Sequence, residues 1–163
     1  MLFTTIRSAE PKDLNRILDI YNEGIIDRIA TLETEVKDFS FIQDYFYERC
    51  KRHPLIILTN KENVIGWASL NPYSTRSVYD EVATLSIYIG REYRGKGYGK
   101  LLMQDIEKRS RTLIRKIILN TFPFNSTGQN LYKSMGYREV GVYKDQGYLD
   151  GKYVDVMIME KIL

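Results

Sequence analysis

Leu85-Ser-Ile-Tyr-Ile-Gly90, Arg94-Gly-Lys-Gly-Tyr-Gly99 and Lys100-Leu-Leu-Met-Gln-Asp-Ile-Glu-Lys108 follow one another along the chain. An apolar run, a glycine-rich turn and apolar residues at helical spacing predict a strand, a loop and a helix in that order. Such a turn leaves backbone N–H groups unpaired at a helix N-terminus, where the helix dipole adds partial positive charge, so it suits a phosphate. The spacing narrows the choice of phosphate ligand. A dinucleotide loop needs Gly-x-Gly-x-x-Gly, and here the third glycine comes one residue early; a P-loop needs Gly-Lys followed by Ser or Thr, and Gly95-Lys96 is followed by Gly97 and Tyr98. What remains is Arg-x-x-Gly-x-Gly, carried by Arg94, Gly97 and Gly99, with a solvated basic loop as the competing reading.

The chain has 163 residues, 44% hydrophobic and 28% charged, and contains no low-complexity tract or Pro-rich linker, so one domain over 1–163 is expected. The net charge of +3 is small, and its cations are interspersed with acids, which argues against a duplex nucleic-acid binder. Lys108 to Lys116, the densest basic stretch, reads as the solvated end of a helix. Cys50 and His53 are the only residues of their types, so neither an intramolecular disulfide nor a Cys- or His-ligated metal site is expected. Both fall near a helix end, far in sequence from the glycine loop, and read as structural or exposed. No charged leader precedes an apolar core, and no apolar run nears the ~18 residues of a membrane span, so a cytoplasmic protein without membrane association is expected.

The elements alternate. Phe3 to Arg7 reads as a strand; Pro11 opens a helix to about Ile26; Asp38 caps a second helix with Ile42, Tyr45, Phe46 and Cys50 on its apolar stripe, ending before Pro54. Strands follow at Leu55–Thr59, Val64–Asn71 and about Glu81–Ile89, then the helix from Gly99 to about Ser110 and a strand at Ile117–Thr121. Asn125 to Met135 is a short helix closed by Gly136, and Tyr137–Val142 and Tyr153–Lys161 form a closing antiparallel pair. The expected class is α/β, a mixed central sheet with helices on both sides.

The Arg94-x-x-Gly97-x-Gly99 loop resembles one that grips acetyl-CoA in a known acetyltransferase superfamily, and a thioester donor of that kind needs a pyrophosphate anchor, a strand edge for its amide-bearing arm and a proton donor near the departing thiolate. Ile87-Tyr88-Ile89 offers the edge, by strand addition. Asn125 and Tyr132 lie seven residues apart, two turns of one helix, so an amide able to hydrogen-bond the arm and a phenol able to protonate or stabilise the thiolate can face one groove.

Arg94-x-x-Gly97-x-Gly99 resembles the pyrophosphate loop of the GCN5-related N-acetyltransferases (GNAT). Asn125-x-x-Gly128-x-x-Leu131-Tyr132, followed by Gly136-Tyr137, resembles that superfamily's second signature. Within it the chain resembles the phosphinothricin and methionine sulfoximine acetyltransferases almost end to end, through Ile6–Asp13, Ile20–Asn22, Thr34-Glu35, Arg76–Tyr79, Ser86–Ile89 and Gly151–Asp155. The resemblance implies the acyl-CoA N-acyltransferase fold, acetyl-CoA as cosubstrate, no metal, a small-molecule amine acceptor and a homodimer. It places acetyl-CoA against Ile87, Tyr88, Ile89, Arg94, Gly95, Lys96, Gly97, Tyr98, Gly99, Lys100 and Asn125, with Tyr132 as general acid. The acceptor falls between Ser74, Thr75 and Arg76 on one side and Thr84, Leu85 and Ser86 on the other. Arg76 is apt, because a planar guanidinium clamps a carboxylate or phosphinate in bidentate fashion.

One position departs from the family. Where its members commonly carry a glutamate that takes the ammonium proton, this chain has Thr84, which cannot act as a base at neutral pH. Glu81 points to the opposite face of a regular strand from residues 82, 84, 86 and 88, and substitutes only if a bulge shifts the phase. Glu33 and Glu35, in the loop between the first two helices, are the other candidate bases. The reading is an acetyl-CoA-dependent enzyme acting on an amino-acid-like primary amine. The rivals are a polyamine, aminoglycoside or protein amine as acceptor, kept open by Glu33, Glu35, Asp80 and Glu81, and a non-catalytic acyl-CoA-binding regulator.

Overall fold

The structure, a computed structural model, describes residues 3–163. In chain order the elements are β1 (Thr4–Ser8), α1 (Leu14–Asp27), α2 (Phe39–Tyr47), β2 (Leu55–Asn60), β3 (Asn63–Pro72), β4 (Val82–Ile89), α3 (Tyr98–Ser110), β5 (Lys116–Thr121), α4 (Ser126–Ser134), β6 (Arg138–Leu149) and β7 (Lys152–Ile162). The seven strands form one sheet in the order β1-β2-β3-β4-β5-β7-β6. Every neighbouring pair is antiparallel except β4 and β5, which run parallel. This is the mixed, helix-flanked sheet that the sequence pattern predicts.

Alternation along β2 shows how the sheet is covered on both faces. Ile56 and Leu58 pack with Leu102, Met103 and Ile106 of α3, whereas Leu55 and Ile57 pack with Leu14, Ile17 and Ile20 of α1 and Ile42 of α2. A strand buried on both faces reads as the unbroken apolar run Leu-Ile-Ile-Leu rather than as alternation. The same period sorts β4. Ala83 and Leu85 join the α3 side, and Tyr88 joins the α1–α2 side.

Local chemistry sets the helix ends. Pro11 lies in a single 3-10 turn (Pro11–Asp13), and the regular helix starts at Leu14, later than Pro11 alone suggests. α1 stops where Arg28 turns to a φ of 58°. Asp38 caps α2 by accepting the Phe41 N–H at 3.0 Å, and that helix ends at Tyr47, short of Cys50. β6 runs to Leu149 rather than Val142. Its register against β7 shifts between Tyr143 and Gly147, and Asp145 has a φ of 49°. The bulge breaks the period-two signal, so the second half of this strand is hard to read from sequence.

Ile17 is fully buried between α1 and the sheet, and Val78, in the loop before β4, is 80% exposed. Ile17→Ala should cost about 2–5 kcal/mol by urea unfolding, from lost transfer energy plus a cavity. Val78→Ala should stay within about 0.5 kcal/mol of the parent.

Candidate active site

The site begins where two strands part. β4 pairs with β3 as far as Ile89 but with β5 only from Val82 to Thr84. From Leu85 onward its other edge has no strand beside it, and backbone N–H and C=O groups there are left for another partner. Two connected grooves, of about 740 and 410 Å³, fill the opening and share Ala30, Ile87, Tyr88, Asn125 and Tyr132. The larger runs past Gly95 to Lys100 at the N-terminus of α3 and Ser126 to Gly128 at the N-terminus of α4. The smaller passes Thr84 and Ser86 of β4, Thr31 and Leu32 of the α1–α2 loop, and Tyr143 and Gln146 of the β6 bulge. Leu32 sits on the backbone of Gly147, where an added Cβ would come within 2.8 Å of its side chain; Arg28 is ion-paired with Asp150 at 3.2 Å.

Glycine is required in the loop for conformation. Gly95 and Gly97 have φ values of 72° and 83°, and a Cβ at either would meet nothing within 4 Å, so their backbone lies open. Gly97 is the N-cap of α3. This open backbone, the unpaired strand edge and the adjoining helix N-terminus fit the pyrophosphate and amide arm of an acyl-CoA.

Tyr132 lies at the junction of the two grooves. Burial alone pushes its phenol up to about 12, so the hydroxyl keeps its proton at neutral pH and can donate it. Asn125 precedes α4 rather than lying within it. Its Oδ1 caps the helix by accepting the Gly128 N–H at 3.0 Å, which leaves the amide hydrogens for the groove.

Residues 16–137 match the acetyltransferase (GNAT) family. The chain belongs to the GNAT family. It is 31% identical over 98% of its length to YwnH of Bacillus subtilis (strain 168), a provisionally named phosphinothricin acetyltransferase of which 99% is covered. A GNAT phosphinothricin acetyltransferase from Sinorhizobium meliloti, solved in complex with acetyl-CoA, superposes with a TM-score of 0.92 at 27% identity, covering 98% of this chain and 88% of that one. A ribosomal-protein-alanine N-acetyltransferase from Brucella melitensis superposes equally well, with a TM-score of 0.92 at 27% identity, covering 98% of this chain and 99% of that one.

Within the GNAT frame, several residues singled out from sequence are held by unforeseen partners. The guanidinium of Arg94 donates to the Ile89 carbonyl at 3.0 Å and to Asp27 at 2.5 Å; Arg91 joins the same carboxylate at 2.7 Å. Arg94 thus pins the loop to the end of α1. Lys96 folds back onto the Glu92 carbonyl at 2.8 Å and over the Tyr93 ring. Lys96 is thus turned from the groove, which is lined there by Arg94, glycine backbone, Tyr98 and Lys100. A Cβ on Gly99 would lie 2.8 Å from Leu131 Cδ2, so this glycine also lets α3 approach α4.

Glu81 is not brought to the grooves. It precedes β4, its carbonyl accepts the Arg115 and Lys116 N–H groups at 2.9 and 3.1 Å, and the β3–β4 register has no bulge to turn it inward. Glu35 is exposed and lines neither groove, and Glu33 is paired with Lys37 at 2.5 Å. Ser74, Thr75 and Arg76 form a loop before β4 that also lines neither. Thr84 and Ser86 do line the smaller groove, with Leu85 beside them, and no Asp, Glu, His or Lys does so among the described residues. Among the described residues, no helix is long and apolar enough to cross a membrane.

Asp27 links α1 to the loop. Hydrogen bonds from Arg91 and then Arg94, outweighing partial burial, hold its carboxyl below the usual aspartate range. The stabilisation is complete above the unfolded value of about 3.9 and is lost as pH falls through the lower folded value. Asp27→Asn should lower the melting temperature at pH 7, and the gap to the parent should close as the pH falls through the lowered folded value of Asp27. Thermal melts across that range measure it.

Proposed function

We propose that this acetyl-CoA-dependent N-acetyltransferase acetylates the primary amine of a small amino-acid-like acceptor of the phosphinothricin type. The single observation that carries this reading is the two-part opening beside β4, with a backbone cradle in one part, small polar side chains in the other and a protonated phenol at their junction. Acetyl-CoA supplies the activated acyl thioester. Ile87 to Ile89 hold its arm by their free backbone edge, Gly95 to Gly99 and Lys100 hold the pyrophosphate, and Asn125 donates from its amide. Tyr132 gives its proton from Oη to the departing thiolate. Thr84 and Ser86 receive the acceptor, whose side is chosen by the end-to-end likeness to a phosphinothricin-type relative. The protein works as a cytoplasmic homodimer in this reading, on the family's habit.

Among the described residues, no Asp, Glu, His or Lys side chain of the smaller groove is placed to take the ammonium proton, so the acceptor reacts in its neutral form and gives its second proton to water. kcat/KM should then rise with pH until the acceptor's own ammonium value is reached, and should move when a less basic amine is supplied. An inflection that stays fixed whatever the amine would place a base on the enzyme. Thr84→Glu should introduce such an inflection and raise the rate at neutral pH. Tyr132→Phe should lower kcat about 100-fold with acetyl-CoA affinity near that of the parent. Gly97→Val, forced into a conformation that a β-branched residue resists, should abolish the melting-temperature rise that acetyl-CoA gives. Thiol release from acetyl-CoA across a panel of amines tests the whole reading, and failure of every amine would leave a cofactor-binding regulator.

A further inference from the structure

Beneath the acceptor side of β4 lies a chain of hydrogen bonds that begins on a cation. Arg49, just past α2, is half-buried and stacks its guanidinium 4.4 Å over the Tyr45 ring. It makes no ion pair among the described residues. It donates to the carbonyls of His53 and Leu70 and, at 3.0 Å, to Asn71 Oδ1, which also receives the Tyr45 hydroxyl at 2.8 Å. A guanidinium only donates, so the Asn71 atom that meets it must be the oxygen. The amide nitrogen is thereby turned to Ser86, whose Oγ accepts from it at 3.0 Å. With that lone pair taken, the Ser86 hydroxyl is left with its own proton to give.

Ser86 lines both the smaller groove and an adjoining cavity of about 90 Å³, walled by Tyr45, Trp67 and Tyr88. Trp67 is 2% exposed, and its indole N–H has no acceptor among the described residues. Two donors thus border a small space with no carboxylate in its wall and an unneutralised cation behind it. We propose that this cavity is an oxyanion subsite, in which Ser86 and Trp67 donate to a carboxylate or phosphinate carried by the acceptor and Asn71 relays the polarity of Arg49. The proposal rests on the amino-acid-like acceptor and extends it. Arg49, outside the cavity wall, and Asn71, in that wall but turned to Ser86, act as positioning residues. A bare aromatic cavity suits a cation instead. The direction of the relay argues for an anion here.

Trp67 is the only tryptophan, so its fluorescence reads the cavity without turnover. Titration of the full chain at constant ionic strength with acetate, with dimethylphosphinate and with tetramethylammonium should give a saturable change for one or both anions and none for the cation. The better of the two anions identifies which oxyanion fits. Ser86→Ala and Asn71→Asp should weaken that response about 10- to 100-fold, as loss of a hydrogen bond to a charged group implies, and Ser86→Thr should largely retain it. In turnover, Asn71→Asp should raise KM for an amino-acid acceptor by a similar factor, leave the acetyl-CoA Kd unchanged and leave KM for a plain alkylamine unchanged. No saturable response in the parent, equal responses in Ser86→Ala and the parent, or a response to tetramethylammonium alone would overturn the subsite. Absence of acetyl transfer to any amine would instead overturn the proposed function, and the fluorescence titration would still decide what the cavity binds.

Discussion

The parting of β4 from β5 is the constraint on which the rest depends. Were the two strands paired over their whole length, the sheet would close and neither groove would exist. They stay joined from Val82 to Thr84 and separate beyond it. A free strand edge in the interior of a sheet is costly unless something satisfies it. The polar side of the molecule gathers around that edge: the open glycine backbone of the α3 turn, the cap of α4 and the phenol of Tyr132. β3 holds β4 in place from the other side through an unbroken register from Gly66 to Pro72. The edge is therefore rigid although it is unpaired.

The elements were legible in the sequence because each has a strong local signature. Leu55–Leu58 is a continuous apolar run, Asp38 precedes a helix it caps, and Gly97 and Gly99 flank the start of α3. The cradle could be read for the same reason, since positive φ at Gly95 and Gly97 is a local property. The anchors could not. Asp27 lies 67 residues from Arg94 and Asn71 lies 15 from Ser86, and nothing local marks either as a partner. Arg94 reads from sequence as a phosphate ligand because a motif reports which residue type stands at a position, whereas its bonds depend on what the fold brings to it. The contributions of Thr31, Leu32, Tyr143 and Gln146 to the smaller groove arise in the same way, from a loop and a bulge with no period of their own.

Thr84 shows how a substitution in a reactive cleft is read through its surroundings. Among the described residues its hydroxyl reaches the Asn71 carbonyl, at 3.5 Å, and no acid lines the smaller groove beside it. The groove is polar but nearly free of titratable groups, which suits an acceptor that brings its own charge. Of its tyrosines, Tyr132 is held above its ordinary value by burial. Tyr88, stacked on Trp67 at 4.9 Å, is held still further above its ordinary value by burial and by its neighbour Tyr21.

The seat of Leu32 on Gly147, with the Arg28–Asp150 ion pair nearby, joins the loop after α1 to the far half of β6 and its turn. The cradle is assembled mostly from one stretch of chain, between Ile87 and Tyr132, so its parts are inherited together. The neighbouring half draws on distant stretches around residues 30, 86, 121 and 146, together with Tyr132 and Val156. Drift in any one of them can reshape the smaller groove, the acceptor side under the proposed function, while the cradle stays intact. A scaffold divided in this way can exchange one amine for another across its history without relearning how to hold the donor.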